Sequence, residues 1–423
     1  MAKIQWVNAT EILDSRGNPT IETTIALDDG VSAARASVPS GASLGKYEAI
    51  ELRDNDPNRF NGMGVLKAVG NVNNAIGSAI MGKDPQDQVG IDKLLLKLDG
   101  TPNKGNLGGN AILSVSLAVC KVAAFSLKMP LYKYINKLAF NINLPVSIEK
   151  MPTPTFNLIN GGKHGAGNLD FQEFHVIPAS HKPYHEGLRL GDEIYQKVRK
   201  VLDYRNAIHS VGDEGGFAPN LFTNMDALEI LIEAIKETPY KLSYDVFLGL
   251  DVAATHFKKG GHYQIKDHPE ALAADDLIKY YQHLQENYHL LILEDPLGED
   301  DWNDWAKLMQ IMGNTVTIVG DDLFATNPER LKKGIDEKVA NAILVKPNQI
   351  GTLTETLAVV KQAKDAGFKT IVSHRSGETN DTYIADLAVG LTADYVKFGA
   401  PARGERVAKY NRLLEIEHEI FLS

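Results

Sequence analysis

The sequence predicts an α/β protein with a C-terminal (β/α)8-type TIM-like barrel preceded by a smaller N-terminal α+β domain. Three observations predict it. Five apolar runs in the C-terminal half, FLGLD, LLILE, TIVGD, AILVK and TIVSH, end on Asp251, Glu294, Asp321, Lys346 and His374. These runs recur at intervals of roughly 25 to 45 residues, the spacing of a strand followed by a helix. Strand signals crowd the first forty residues and helical texture follows them, the order of an α+β unit.

From the N-terminus, IQWVNATEIL and TIETTIAL read as strands, a turn follows at Asp28-Asp29-Gly30, and VSAARASVP completes a small sheet. Residues 63 to 138 carry helical segments that each stop near Gly or Pro. One of these, residues 111 to 127, is apolar enough to resemble a membrane span. Ser114, Ser116, Lys121 and Ser126 interrupt it, which predicts a buried helix instead. Pro145, Pro152 and Pro154 mark a boundary, so the expected domains are residues 1–140 and 141–423. Two glycine-rich segments, Ser40 to Gly45 and Asn160 to Gly167, match neither a phosphate loop ending in Lys-Ser or Lys-Thr nor a dinucleotide fingerprint. Segments of this kind suit a closing lid.

Composition narrows the function classes. A chain of 423 residues is long enough for a barrel and a companion, and 43% hydrophobic with 23% charged residues is ordinary for a globular protein. The net charge of −10 argues against a broad nucleic-acid or membrane face. The opening residues MAKIQWVNAT hold no apolar signal core, and the single Cys120 forms neither an intrachain disulfide nor a multi-cysteine metal site. A reducing cytoplasm is expected.

If the five run ends share one barrel rim, three acids, a lysine and a histidine face one pocket. Asp251, Glu294 and Asp321 offer hard oxygen ligands with no thiolate nearby, and such a set prefers Mg²⁺ or Mn²⁺ over zinc. The competing reading is a structural ion-pair network of these acids with Lys346, Arg375 and Lys397. Lys346, close to bound cations and to Lys397, is expected to have a lowered pKa and to act as a general base. The acid opposing it is Glu214, from Val211-Gly212-Asp213-Glu214-Gly215-Gly216, or Glu173, from Phe171-Gln172-Glu173-Phe174. Spacing does not choose between them.

Several longer motifs carry a family resemblance: Leu13-Asp14-Ser15-Arg16-Gly17-Asn18-Pro19-Thr20, Glu294-Asp295-Pro296, Gly320-Asp321-Asp322-Leu323, Asn348-Gln349-Ile350-Gly351-Thr352, Ser373-His374-Arg375-Ser376-Gly377-Glu378-Thr379 and Gly399-Ala400-Pro401-Ala402-Arg403. Along essentially its whole length the chain resembles the enolases, which interconvert 2-phosphoglycerate and phosphoenolpyruvate. The resemblance implies that Asp251, Glu294 and Asp321 hold one Mg²⁺, and that Ser43 helps to hold a second during turnover. By the same resemblance Lys346 removes the C2 proton, Glu214 assists loss of the C3 hydroxyl, and Glu173 stands near that hydroxyl. Gln172 contacts the substrate, His164 is a lid residue, Arg375 and Ser376 bind phosphate, and Lys397 lies beside the substrate carboxylate. His374 introduces the phosphate-binding pair and is grouped with the substrate contacts.

The sequence departs from the family pattern at Leu44, at Thr255-His256, at Phe398 and at Glu415, where many relatives have Arg. If that Arg pairs across a dimer with the acid corresponding to Glu22, the contact is absent here. The resemblance implies a homodimer or higher homo-oligomer and a cytoplasmic enzyme, with a surface or secreted pool as a secondary location. An acid-sugar enzyme of the same superfamily and a non-catalytic binding protein are the rival readings. The Ser43 loop with Arg375-Ser376 argues against the first, and Glu214, Lys346 and the three acids against the second.

Overall fold

The computed structural model describes residues 2–41, 45–144, 147–165 and 169–422. Strands β1 (Ile4–Leu13), β2 (Pro19–Leu27) and β3 (Ala33–Ser37) form an antiparallel sheet in chain order. The sheet needs a cover for its apolar face, and helix Gly109–Ser126 supplies it. Thr23 and Ser114 hydrogen-bond at 2.6 Å between the two layers, both side chains buried. Among the described residues this helix alone is long and apolar enough to cross a membrane, yet 83% of it is buried inside the protein, as expected for a core helix.

The second sheet is a closed barrel. Its strands are β4 (Thr153–Pro154), β5 (Phe156–Asn160), β6 (Glu173–Pro178), β7 (Val246–Asp251), β8 (Leu290–Glu294), β9 (Thr317–Gly320), β10 (Ala342–Val345), β11 (Lys369–Ser373) and β12 (Tyr395–Lys397). β4 pairs with β12 while β5 pairs with β6, and only Thr155 separates β4 from β5. Residues 153–160 thus act as one bent strand that joins the first and last members of the ring.

The sequence predicts a (β/α)8-type barrel, and one detail differs. β6 runs antiparallel to both neighbours, whereas the strands from β7 round to β4 are parallel. The cause lies in the connections. No α-helix separates β5 from β6, and two helices, Tyr184–Tyr204 and Asn224–Lys236, separate β6 from β7. Without a crossover helix β6 turns back on β5, and the pair of long helices after it returns the chain antiparallel to β6, in the direction the remaining strands keep.

Side-chain alternation at period two decides what faces the barrel axis. Ile177, Ile292, Val319, Ala342, Leu344, Ile371 and Tyr395 form a separate apolar plug, while Leu293, Ile318, Ile343, Val345 and Val396 join the layer toward the helices. Two residues beyond the plug along β8, β9, β10 and β12 stand Glu294, Asp321, Lys346 and Lys397. Charge therefore begins where the plug ends.

Candidate active site

Asp321, Lys346 and Lys397, together with Asp251 from β7 and Glu173 from β6, line one pocket with Gln172, Glu214, His374, Arg375 and Ser376, while Glu294 does not line it and joins the group through its ion pair with Lys397. The pocket is small, strongly polar and open to solvent on one side, which suits a small polar molecule. Glu173 reaches the rim from the start of its strand because β6 runs backwards, and it pairs in register with Asp251.

Lys397 is the hub. Its Nζ lies 2.8 Å from both Asp251 Oδ2 and Glu294 Oε1, and 3.2 Å from Glu173 Oε1. Asp251 Oδ2 also accepts from Gln172 Nε2 at 3.1 Å, and Glu173 Oε2 bonds His175 Nε2 at 2.9 Å. Lys346 forms a short ion pair with Asp321. At another part of the pocket Arg375 holds Glu48 at 2.9 and 3.4 Å and Asn348 at 3.2 Å, and Ser376 Oγ accepts from Arg16 at 3.1 Å.

Glu214 is buried in the loop before Gly215-Gly216, and its Oε2 accepts from Asn157 Nδ2 at 3.0 Å. Gly215 has φ +87°, and a Cβ there would lie 2.8 Å from the Ala402 carbonyl. Gly399, also at φ +87°, passes so close beneath Glu214 that a Cβ would sit 2.5 Å from its carbonyl oxygen. Both glycines let this loop press onto the end of β12.

Electrostatics show a shortage of positive charge. Burial alone would raise Asp251, but the charge and hydrogen bond of Lys397 hold it down at about 2. Glu294 is pushed well above the usual carboxylate range by burial and then by Asp251, against the pull of Lys397. Lys397 stands well above an ordinary lysine because Asp251, Glu173 and Glu294 outweigh its burial. The lowered Lys346 expected beside bound cations is not produced by the protein's own groups alone. Burial does pull it down, but Asp321 prevails and the ammonium form is favoured.

The ion pairs of the competing reading are thus present, but one lysine shared by three buried carboxylates does not neutralise them. A hard divalent cation fits this all-oxygen donor set. Among the described residues the tightest acidic group is Asp295, Asp321 and Asp322, with ligand oxygens within 4.8 Å of one another, rather than the expected Asp251, Glu294 and Asp321. Asp295 is already engaged in the turn, accepting from the backbone N–H of Asp321 at 2.9 Å and of Asp322 at 2.7 Å. Its carboxylate orients Asp321.

Residues 148–422 match the family model described as the enolase C-terminal TIM barrel domain, and residues 4–135 match the enolase N-terminal domain. The chain belongs to the enolase family. It is therefore an enolase-type enzyme, from a lyase-type and generally metal-dependent family.

In this enolase the expected site residues within the described portion line one pocket, except Glu294, which reaches it only through Lys397. Ser43 lies outside the described residues, and so does the side chain of His164. Glu48, Asn157, Asp295 and Arg406 were not singled out by sequence reasoning. Asn157 alone left a local signal, a polar residue inside the apolar run FNLIN. The two partners of the envisaged dimer contact have intrachain neighbours: Arg35 lies 3.7 Å from Glu22, and Arg412 lies 3.0 Å from Glu415.

Proposed function

We propose that this enolase is a phosphopyruvate hydratase of glycolysis and gluconeogenesis, interconverting 2-phosphoglycerate and phosphoenolpyruvate. The observation that carries the reading is the sharing of one pocket by a lysine, a buried glutamate and an arginine-serine pair. Lys346, Glu214 and Arg375-Ser376 supply a base, an acid and a phosphate grip around a space for one small molecule.

Lys346 takes the proton from C2, which requires its neutral form, so Asp321 must first be engaged elsewhere than on the Lys346 ammonium. Electron density from the broken C–H bond moves into the carboxylate and forms an enediolate, beside which Lys397 places a fixed positive charge. Asp251, Glu294 and Asp321 would hold one Mg²⁺, with a second near Ser43, and their charge would stabilise that dianion. Glu214 gives a proton to the C3 oxygen as the C3–O bond breaks, so the hydroxyl leaves as water. Glu173 and Gln172 flank this end, with His164 assigned to the lid. Arg375 exchanges Glu48 for the substrate phosphate, and Ser376 adds a hydroxyl.

The same reading assigns residues 1–140 to a capping domain and 141–423 to the catalytic barrel, in a cytoplasmic homodimer. Purified protein with excess Mg²⁺ is expected to convert 2-phosphoglycerate to an ultraviolet-absorbing enol phosphate. No rise in absorbance from folded protein sinks the assignment.

A further inference from the structure

Arg406, on helix Gly404–Glu417, is fully buried. Its Nη1 lies 2.6 Å from His374 Nδ1 and donates to the Arg375 carbonyl at 2.7 Å. Its Nη2 donates to the carbonyls of Ser376 at 2.7 Å and Asp213 at 3.1 Å. One guanidinium therefore ties the loop that carries Glu214 to the loop that carries Arg375 and Ser376. A guanidinium is a permanent cation with donors only, so His374 Nδ1 must present its lone pair to it. The imidazole hydrogen then resides on Nε2.

That nitrogen points at the proposed acid. Nε2 is buried, finds no hydrogen-bond partner of ordinary length among the described residues, and lies 3.6 Å from Glu214 Oε2. The ring is anchored by its backbone, since His374 N–H donates to the Lys397 carbonyl at 2.9 Å. The same Oε2 already accepts from Asn157.

We propose that Arg406 is a positioning residue that locks His374 in its Nε2–H tautomer and so keeps an N–H turned toward Glu214. The inference rests on Glu214 being the acid of the reaction. Burial, together with the charges of Arg406, Lys397 and Lys346 against that of Glu214, holds His374 well below the ordinary histidine range, in keeping with a neutral ring.

Histidine-selective ¹⁵N spectra of the full-length, substrate-free protein test the tautomer directly, with the His374 signals identified by their loss in His374→Gln. Expected is one tautomer, Nε2 protonated and Nδ1 not, unchanged between about pH 6 and 8. An Nδ1–H ring or an imidazolium in that range overturns the proposal. Arg406→Lys is expected to mix the tautomers, and an unchanged ring in that variant also overturns it. Should Arg406→Lys fail to fold, the pair at position 374 decides. His374→Gln, which keeps a donor near the Nε2 position, is expected to lose clearly less kcat than His374→Leu, which loses on the order of 100-fold. Equal losses in the two overturn the proposal. The spectra need no turnover, so a wrong tautomer and a wrong reaction give separate failures.

Discussion

Glu173, the first residue of β6, stands in register opposite Asp251, the last residue of β7, and the Lys397 ammonium reaches both. Chain reversal at one strand therefore puts a strand beginning among strand ends. The arrangement concentrates acids around a single ammonium, which is costly in a buried site unless further positive charge arrives.

Mg²⁺ is accordingly expected to stabilise the folded protein. By linkage, an ion at a hundred times its dissociation constant adds about 2.7 kcal/mol when it binds only the folded state. Differential scanning calorimetry of chelator-treated protein, with and without Mg²⁺, reads this as a rise in Tm. Asp251→Asn should lose most of the rise. An equal rise in the variant removes Asp251 from the metal site.

Lys346→Ala is expected to abolish exchange of the C2 proton of 2-phosphoglycerate with solvent while leaving the Mg²⁺-dependent Tm rise in place. General bases contribute on the order of 100- to 10,000-fold, so a loss of that size is anticipated. Exchange at the wild-type rate excludes Lys346 as the base. Exchange is the right readout because it reports proton removal even when hydroxyl departure is slow.

Asp381 fastens the N-terminal sheet and its covering helix to the barrel. It accepts from both the Lys121 ammonium at 2.6 Å and the backbone N–H groups of Ser37 at 3.0 Å and Tyr383 at 2.9 Å. Burial would raise its pKa, but Lys121 and these donors hold it below the usual aspartate value. A depressed carboxylate contributes stability that is complete above its unfolded pKa of about 3.9 and disappears as pH falls through the folded value. Asp381→Asn should cost on the order of 3 kcal/mol at neutral pH and flatten the acid limb of the stability curve below about pH 4. Urea titrations across that range check it. An unchanged acid limb means that Asp381 does not carry the linkage.

Much of the rim is legible in the sequence because strand alternation is local. Once a run such as AILV is read as a buried strand, the residue after it falls on the axial face, and Lys346 follows without knowledge of its neighbours. Lys397 ends a run of only three residues, YVK, too short to be noticed by periodicity. Glu48 was invisible for another reason. It meets Arg375 across 327 positions of chain, and nothing in VPSGASLGKYE indicates a partner so distant. Arg406 reads as one more charged residue on a terminal helix, because a buried arginine differs from a solvated one only in what surrounds it. The direction of β6 depends on how many helices intervene, and apolar runs say little about that.

The bent strand at residues 153–160 carries two seams of the ring at once, which leaves the barrel no open backbone edge among the described residues. Unpaired strand edges are where one chain recruits another into a shared sheet, and from there into aggregates. Association between copies of this enolase must therefore use helices, loops or the outer strands of the small N-terminal sheet. A single cleavage near Thr155 would leave each half of this strand on its own neighbour and part the ring between them.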